Sequence, residues 1–192
     1  MLDRFQMKNC NSVSTPIEFG LKHLKDPEGR KAADTLYKQI VGSLMYLRPN
    51  TMHAVSLISR YMECPREMHL NVAKRIFRYL QGIAAYGLFY KKEEKSYLFG
   101  FADSDYTGDL DDRRSTLGYI FMLGSGAMSW SSKKQPIVSL SAIEVEFVAA
   151  TSYACQAIWL RKILEELLFK QQGATSIYCD SSSVIKLSKN PV

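Results

Sequence analysis

Three carboxylates stand where oxygen ligands for a hard divalent cation are wanted. Asp103 closes the apolar run from Tyr97 to Ala102, Glu146 lies just inside a long helical pattern, and Asp180 ends the run Ile177-Tyr178-Cys179. Carboxylates that end apolar strands, or that sit in the first turns of a helix packed on them, can converge on one edge of a sheet and bind such a cation. Two of them have ordinary alternatives. Glu146 is also read as a first-turn acid favoured by the helix dipole, and Asp180 as a cap before Ser181-Ser182-Ser183. Asp105 is a reserve for the first position, because strand alternation sets it on the same face as Asp103.

Neighbouring acids have other work. Ser141-Ala-Ile-Glu144 reads as a capping box, with Ser141 as N-cap and Glu144 reaching back to its amide. That occupies Glu144 and leaves Glu146, about 200° further round the helix, free to face a sheet. The stretch from Asp103 to Asp112 looks like the start of a calcium loop, but Arg114 stands where a bidentate Glu is needed and the flanks have strand character. Asp109, Asp111 and Asp112 are therefore read as solvated turn residues. Lys74, Arg75 and Arg78 share one helix face and, with the secondary pairs Lys133-Lys134 and Arg113-Arg114, could follow a phosphate backbone; a solvated helix face has the same composition.

The elements that must position these residues follow from apolar spacing. Residues 1–34 are loop-like, punctuated by Ser14-Thr15-Pro16 and Asp26-Pro27-Glu28-Gly29. Leu36, Ile40, Leu44 and Leu47 predict a helix stopped at Arg48-Pro49-Asn50, a second helix is predicted over 52–63, and a third over 65–81 has Ala73, Ile76, Phe77 and Leu80 on one side and Gly82 as its stop. From Tyr86 the pattern shortens to strands at 86–90, 97–103, 117–123 and 127–131, the last two joined as a hairpin by Gly124-Ser125-Gly126. A long helix over 142–168 follows, with Val145, Val148, Ile158, Ile163, Leu164 and Leu167 among its apolar positions. A strand at 175–179 and a short helix at 181–188 complete the order. This β-β-β-α-β-α half predicts a mixed sheet whose final strand returns parallel to the first, an α/β fold of the α+β mixed-sheet kind. Ligand sites then gather at the carboxyl ends of adjacent parallel strands, where Asp103 and Asp180 fall.

Charge is divided along the chain. Residues 1–95 hold 16 Lys and Arg against 9 Asp and Glu, and residues 96–192 hold 9 against 10. A polyanion-facing first half beside a more acidic second half is the reading. An apolar content of 46% with 11% aromatics in 192 residues is enough for a buried core. No apolar run approaches the roughly 18 residues of a membrane span, and Met1-Leu-Asp-Arg-Phe-Gln has no signal-peptide pattern. An intracellular protein of cytoplasm or nucleus, with no membrane partner, is expected. Cys10, Cys64, Cys155 and Cys179 form no C-x-x-C pair and no group with His23, His53 or His69, which argues against zinc and against a disulfide framework.

The stretch Phe101-Ala-Asp103-Ser-Asp105-Tyr-Thr-Gly108-Asp109 through Arg113-Arg-Ser115-Thr-Leu-Gly118-Tyr119 resembles the ribonuclease H region of copia-type retrotransposon polyproteins. Ser129-Trp130-Ser-Ser-Lys133-Lys134-Gln135, Glu144-Val-Glu146-Phe147, Trp159-Leu-Arg161 and Tyr178-Cys179-Asp180 follow in that family's order. Upstream, Val13-Ser14-Thr15-Pro16, Tyr37 with Val41-Gly42-Ser43-Leu44-Met45-Tyr46, and Ala73-Lys74-Arg75-Ile76-Phe77-Arg78-Tyr79-Leu80 look like the end of the reverse transcriptase and its connection to ribonuclease H. The resemblance implies a helical reverse-transcriptase segment over 1–90 and a ribonuclease H-like domain over 91–192. It gives Asp103, Glu146 and Asp180 the places of the first three active-site acids. The chemistry implied is hydrolysis of the RNA strand of an RNA–DNA hybrid with two Mg²⁺ ions, Mn²⁺ being an alternative, and the reverse-transcriptase portion of the parent polyprotein as partner. Lys74, Arg75, Arg78, Lys133 and Lys134 would hold the hybrid's phosphates.

The chain also departs from the family pattern. It stops at Asn190-Pro191-Val192, before the further strand, last helix and fourth acid, so a C-terminally truncated domain is expected. Ala142, Ile143 and Val145 stand where the family has a Ser-Thr pair and then Ala, and the Leu47-Arg48-Pro49-Asn50 turn is short. No Y-x-D-D motif occurs, so the chain by itself is not expected to polymerise DNA. Beside an active nuclease, the departures leave two readings: a catalytically inactive nucleic-acid-binding remnant, and a decayed gene product with no retained activity.

Overall fold

Helical spacing in the first half becomes three helices, α1 (Asp34–Leu44), α2 (Met52–Ser59) and α3 (Glu67–Gly82). The computed structural model describes residues 2–18, 25–45, 47, 49–92 and 96–189, and the chain separates into two compact units, Met1–Gly87 and Leu88–Val192. In the first unit one cluster joins Tyr37, Ile40, Val41 and Leu44 of α1, Ala54, Val55 and Ile58 of α2, and Val72, Ala73, Ile76, Phe77 and Leu80 of α3. The stripe expected from Leu36 is rotated by one residue. Leu36 is exposed and Tyr37 is buried in its place, because the buried face follows i, i+3, i+4, i+7 from Tyr37. A buried phenol is tolerated there since its hydroxyl donates to the Ile58 carbonyl at 2.7 Å and leaves no orphan polar atom.

Element ends differ from the sequence expectation for local reasons. A 3₁₀ turn, Pro49–Thr51, leads into α2, which ends at Ser59 instead of 63. The next two amides bond three residues back, Arg60 to Leu57 and Tyr61 to Ile58, the tightening common at a helix terminus. Helix α3 begins at Glu67, where His69 Nδ1 accepts the Arg66 amide at 3.0 Å, and ends at Gly82. Arg48, at the expected end of α1, and Asn190-Pro191-Val192 lie outside the described residues.

The second unit is built on a mixed four-stranded sheet in the order β3-β2-β1-β4. Strand β1 (Leu98–Asp105) pairs antiparallel with β2 (Thr116–Leu123), which forms a hairpin with β3 (Gly126–Lys134). Gly124 takes the left-handed turn at φ 58°. After helix α4 (Ala142–Glu166), β4 (Ser176–Tyr178) returns parallel to β1, and α5 (Ser182–Lys189) follows. The strand expected over 86–90 does not form. Side chains fix that region instead: Tyr90 donates to the Ala127 carbonyl at 2.7 Å, and Ser125 Oγ accepts the Lys91 amide at 2.9 Å.

Helix α4 covers one face of the sheet with the stripe Val145, Ala149, Tyr153, Ala157, Leu160 and Leu164. The last three meet Leu98 of β1 and Phe121 of β2. Of the expected apolar positions, Ile158 is exposed because it falls off this 3.6-residue stripe, and Leu167 because the helix ends at Glu166 and leaves it as the C-cap. Gly100 is needed where Phe121 crosses β1, since a Cβ there would stand 2.7 Å from the ring. The opposite face carries Phe99, Phe101 and Tyr178 in mutual ring contact, with Phe101 stacked on Tyr178 at 5.4 Å. Among the described residues no helix is long and apolar enough to cross a membrane, and the four cysteines are free thiols.

Candidate functional site

Sheet register decides how two of the three carboxylates sit. The last parallel pair of β1 and β4 is Phe101 with Tyr178, and two residues further along each chain stand Asp103 and Asp180. Asp103 still belongs to β1, whereas Asp180 stands past the end of β4. Asp103 is exposed on the Phe101 face and pairs across to Gly118 of β2; Asp180 is exposed in the bend after β4.

Glu146 comes from the helix. Ser141 caps α4 by accepting the Glu144 amide at 3.2 Å, and the Glu144 carboxylate takes the Leu140 amide at 2.7 Å. The box therefore closes one residue earlier than the Ser141 amide that its pattern suggests. Glu144 is spent on the cap, and half-buried Glu146 is not. One side chain ties this helix turn to β1: Tyr153, two turns on and 2% exposed, donates from its hydroxyl to the Asp103 carbonyl at 3.1 Å. Burial first, then the charge of Glu146 and the lesser one of Asp103, drive the Tyr153 phenol far above its usual range, while a backbone hydrogen bond with Gly118 works the other way. The phenol stays a donor at all ordinary pH. Its ring meets Tyr119 edge to face at 5.4 Å.

The donor set suits a hard cation: three carboxylates, none of whose side chains forms an ion pair or accepts a hydrogen bond among the described residues. The side chains stand apart, for among the described residues no three Asp, Glu, His or Cys groups come within reach of one metal ion. The reserve residue Asp105 is turned elsewhere, its carboxylate lying where a Cβ on Gly108 would be.

The acidic loop after β1 is not the solvated turn that composition suggests. Asp109 is buried, accepts the Asp111 and Asp112 amides at 3.0 and 3.2 Å, and pairs with Lys134 at 2.7 Å; Lys134 also reaches Asp112 at 2.7 Å. Lys134 is thus engaged in fixing the loop to β3, and Lys133 beside it is exposed. In the first unit, Arg75 pairs with Glu18 at 2.7 Å and donates to Thr15 Oγ1, while Arg78 donates to the Asn11 carbonyl. Both arginines hold the segment that precedes α1 against α3, and Lys74 is exposed. Sequence reasoning missed Tyr153 and the Asp109–Lys134 pair. Tyr153 could have been found at i+7 from Glu146, on the same helix face.

No family model matches this chain, and no solved structure does. Among curated proteins it is 42% identical over 200 positions to the retrovirus-related Pol polyprotein from transposon TNT 1-94 of Nicotiana tabacum, covering 99% of this chain and 15% of that protein. It is 39% identical over 196 positions to the retrovirus-related Pol polyprotein from transposon RE2 of Arabidopsis thaliana, covering 100% of this chain and 13% of that one. It is also 41% identical over 128 positions to the secreted RxLR effector protein 161 of Plasmopara viticola, which spans 65% of this chain and 90% of that protein.

Proposed function

We propose, from similarity along the whole chain to a 13–15% portion of the retrovirus-related Pol polyproteins of plant transposons, that its second unit is a ribonuclease H-like domain that hydrolyses the RNA strand of RNA–DNA hybrids. The observation that supports the reading is that β1, which bears Asp103, runs parallel to β4, after which Asp180 follows, while Tyr153 ties the helix of Glu146 to the Asp103 carbonyl. Asp103, Glu146 and Asp180 are the residues that would hold two Mg²⁺ ions, or Mn²⁺ in their place. Bound there, the ions would supply activation of water at neutral pH and stabilisation of the leaving 3′ oxygen. The protein's own part is to hold the acids on rigid elements and to bind the hybrid. Exposed Lys74 and Lys133 are the free members of the basic set for phosphate contact, whereas Arg75, Arg78 and Lys134 act through the segments they fix. The first unit is the reverse-transcriptase end of the parent polyprotein, and the remainder of that polyprotein is its natural partner.

The test is cleavage of a hybrid labelled on each strand by the purified 192-residue chain in Mg²⁺. RNA-strand cuts that Asp103→Asn abolishes are expected, with the DNA strand intact. Cleavage no faster than that of Asp103→Asn would overturn the reading.

A further inference from the structure

We infer that Tyr153 is a positioning residue for the carboxylate site, its hydroxyl fixing the spacing between Glu146 on α4 and Asp103 on β1. The inference rests on the reading of those two acids as cation ligands. Tyr153 and Glu146 are seven residues apart on one helix, two turns on the same face, so any slide or roll of α4 that moves one moves the other. The hydroxyl reaches the backbone of the residue that carries the other acid, at 3.1 Å to the Asp103 carbonyl. Elsewhere α4 meets the sheet through apolar contacts of Ala157, Leu160 and Leu164, and its other directional ties, from Arg161 to Thr175 Oγ1 and the Gln171 carbonyl, lie at the far end of the helix from the acids. Such contacts fix height above the sheet better than position along it, because dispersion is non-directional while a hydrogen bond is not. Ala149 is the stripe residue between Glu146 and Tyr153 and offers no polar group. The phenol is therefore the directional tie nearest the acids. Ligands must be held to about half an ångström for tight cation binding, which is the interval one hydrogen bond can set.

The test measures Mn²⁺ binding by the full chain without nucleic acid, from the electron paramagnetic resonance signal of free Mn²⁺. Tyr153→Phe, which removes one hydrogen bond, should weaken binding by roughly 3- to 10-fold. Tyr119→Phe, which alters a phenol of the same aromatic cluster, should leave it unchanged, and p-aminophenylalanine at position 153, which restores a donor, should recover most of the affinity. If Asp103→Asn binds Mn²⁺ as the parent does, the cation reading fails. If Asp103→Asn weakens binding while Tyr153→Phe matches the parent, the positioning role alone fails. Should Tyr153→Phe be unstable, the comparison is repeated in sucrose, which favours the folded state by exclusion from exposed surface. A defect that disappears on refolding there would assign Tyr153 to packing and overturn the inference.

Discussion

Replacing Asp109 with alanine should destabilise the second unit by about 3 kcal/mol. The Asp109 side chain is 4% exposed and lies 2.7 Å from the Lys134 ammonium. Removing one partner of a buried pair costs ~3–5 kcal/mol because the other charge is left desolvated. Here Lys134 is 23% exposed and keeps Asp112 at 2.7 Å, which lowers that penalty. The two amides of Asp111 and Asp112 lose a charged acceptor, a loss of about 1.5–3 kcal/mol each where water cannot replace it. Asp111 is exposed, so part of this is recovered. The lower end of the buried-pair range remains. For a unit of this size each kcal/mol moves Tm by roughly 4 °C, so a fall of about 12 °C is expected. Trp130 and Trp159 both belong to the second unit, and their fluorescence in a urea titration follows that unit selectively. Asp109→Asn keeps an amide acceptor and should show about half the loss. A loss below ~1 kcal/mol for Asp109→Ala, no larger than that for exposed Lys133→Ala, would refute the reasoning.

Gly100→Ala should cost ~1–3 kcal/mol in the same titration, since its Cβ meets the Phe121 ring at 2.7 Å, whereas Gly118→Ala meets nothing nearer than 3.9 Å and should cost less. Burial, with a smaller effect of Tyr61, lifts the Tyr37 phenol above its usual range, so its contribution to stability is full below about pH 10 and is lost as pH rises further. Circular dichroism of an alkaline titration should show that loss, and Tyr37→Phe should flatten it. Glu144→Gln should lower stability by about 0.5–1 kcal/mol and leave hybrid cleavage intact, while Glu146→Gln should leave stability unchanged and reduce cleavage at least ~100-fold, a contrast read by melting and by gel assay. Lys74→Ala should reduce the salt dependence of hybrid binding by about one counterion. Arg75→Ala should instead expose the segment around Thr15 and Glu18 to limited proteolysis, because its ion pair and hydrogen bond hold that segment.

Apolar spacing alone determined the element order: three helices, then a hairpin-bearing sheet, a long helix, a parallel returning strand and a short helix. The capping-box pattern separated Glu144 from Glu146, because capping is a local hydrogen-bond problem whose partners lie within a few residues. The strand proposed over 86–90 shows the limit of this kind of reasoning. Its residues have strand-forming character, but a strand exists only where a neighbour supplies ladder bonds, and the neighbour is a tertiary fact. The same holds for Leu36 and Tyr37, whose burial depends on which side of α1 the other helices occupy.

For the site, residue type and order marked Asp103, Glu146 and Asp180 as a set, and tertiary structure decided their relations. Register, a property of two strands 77 positions apart in sequence, pairs Phe101 with Tyr178, each two residues before one of the aspartates. Residue type could not tell buried Asp109 from its more exposed neighbours Asp111 and Asp112, nor distinguish Arg75 and Arg78, which hold a chain segment, from exposed Lys74. A charged side chain carries the same code whether it faces water, a partner or a ligand. Its desolvation and its pairing arise only when distant segments meet, and for the same reason the bond by which Tyr153 ties helix to strand, 50 positions apart, is a tertiary fact.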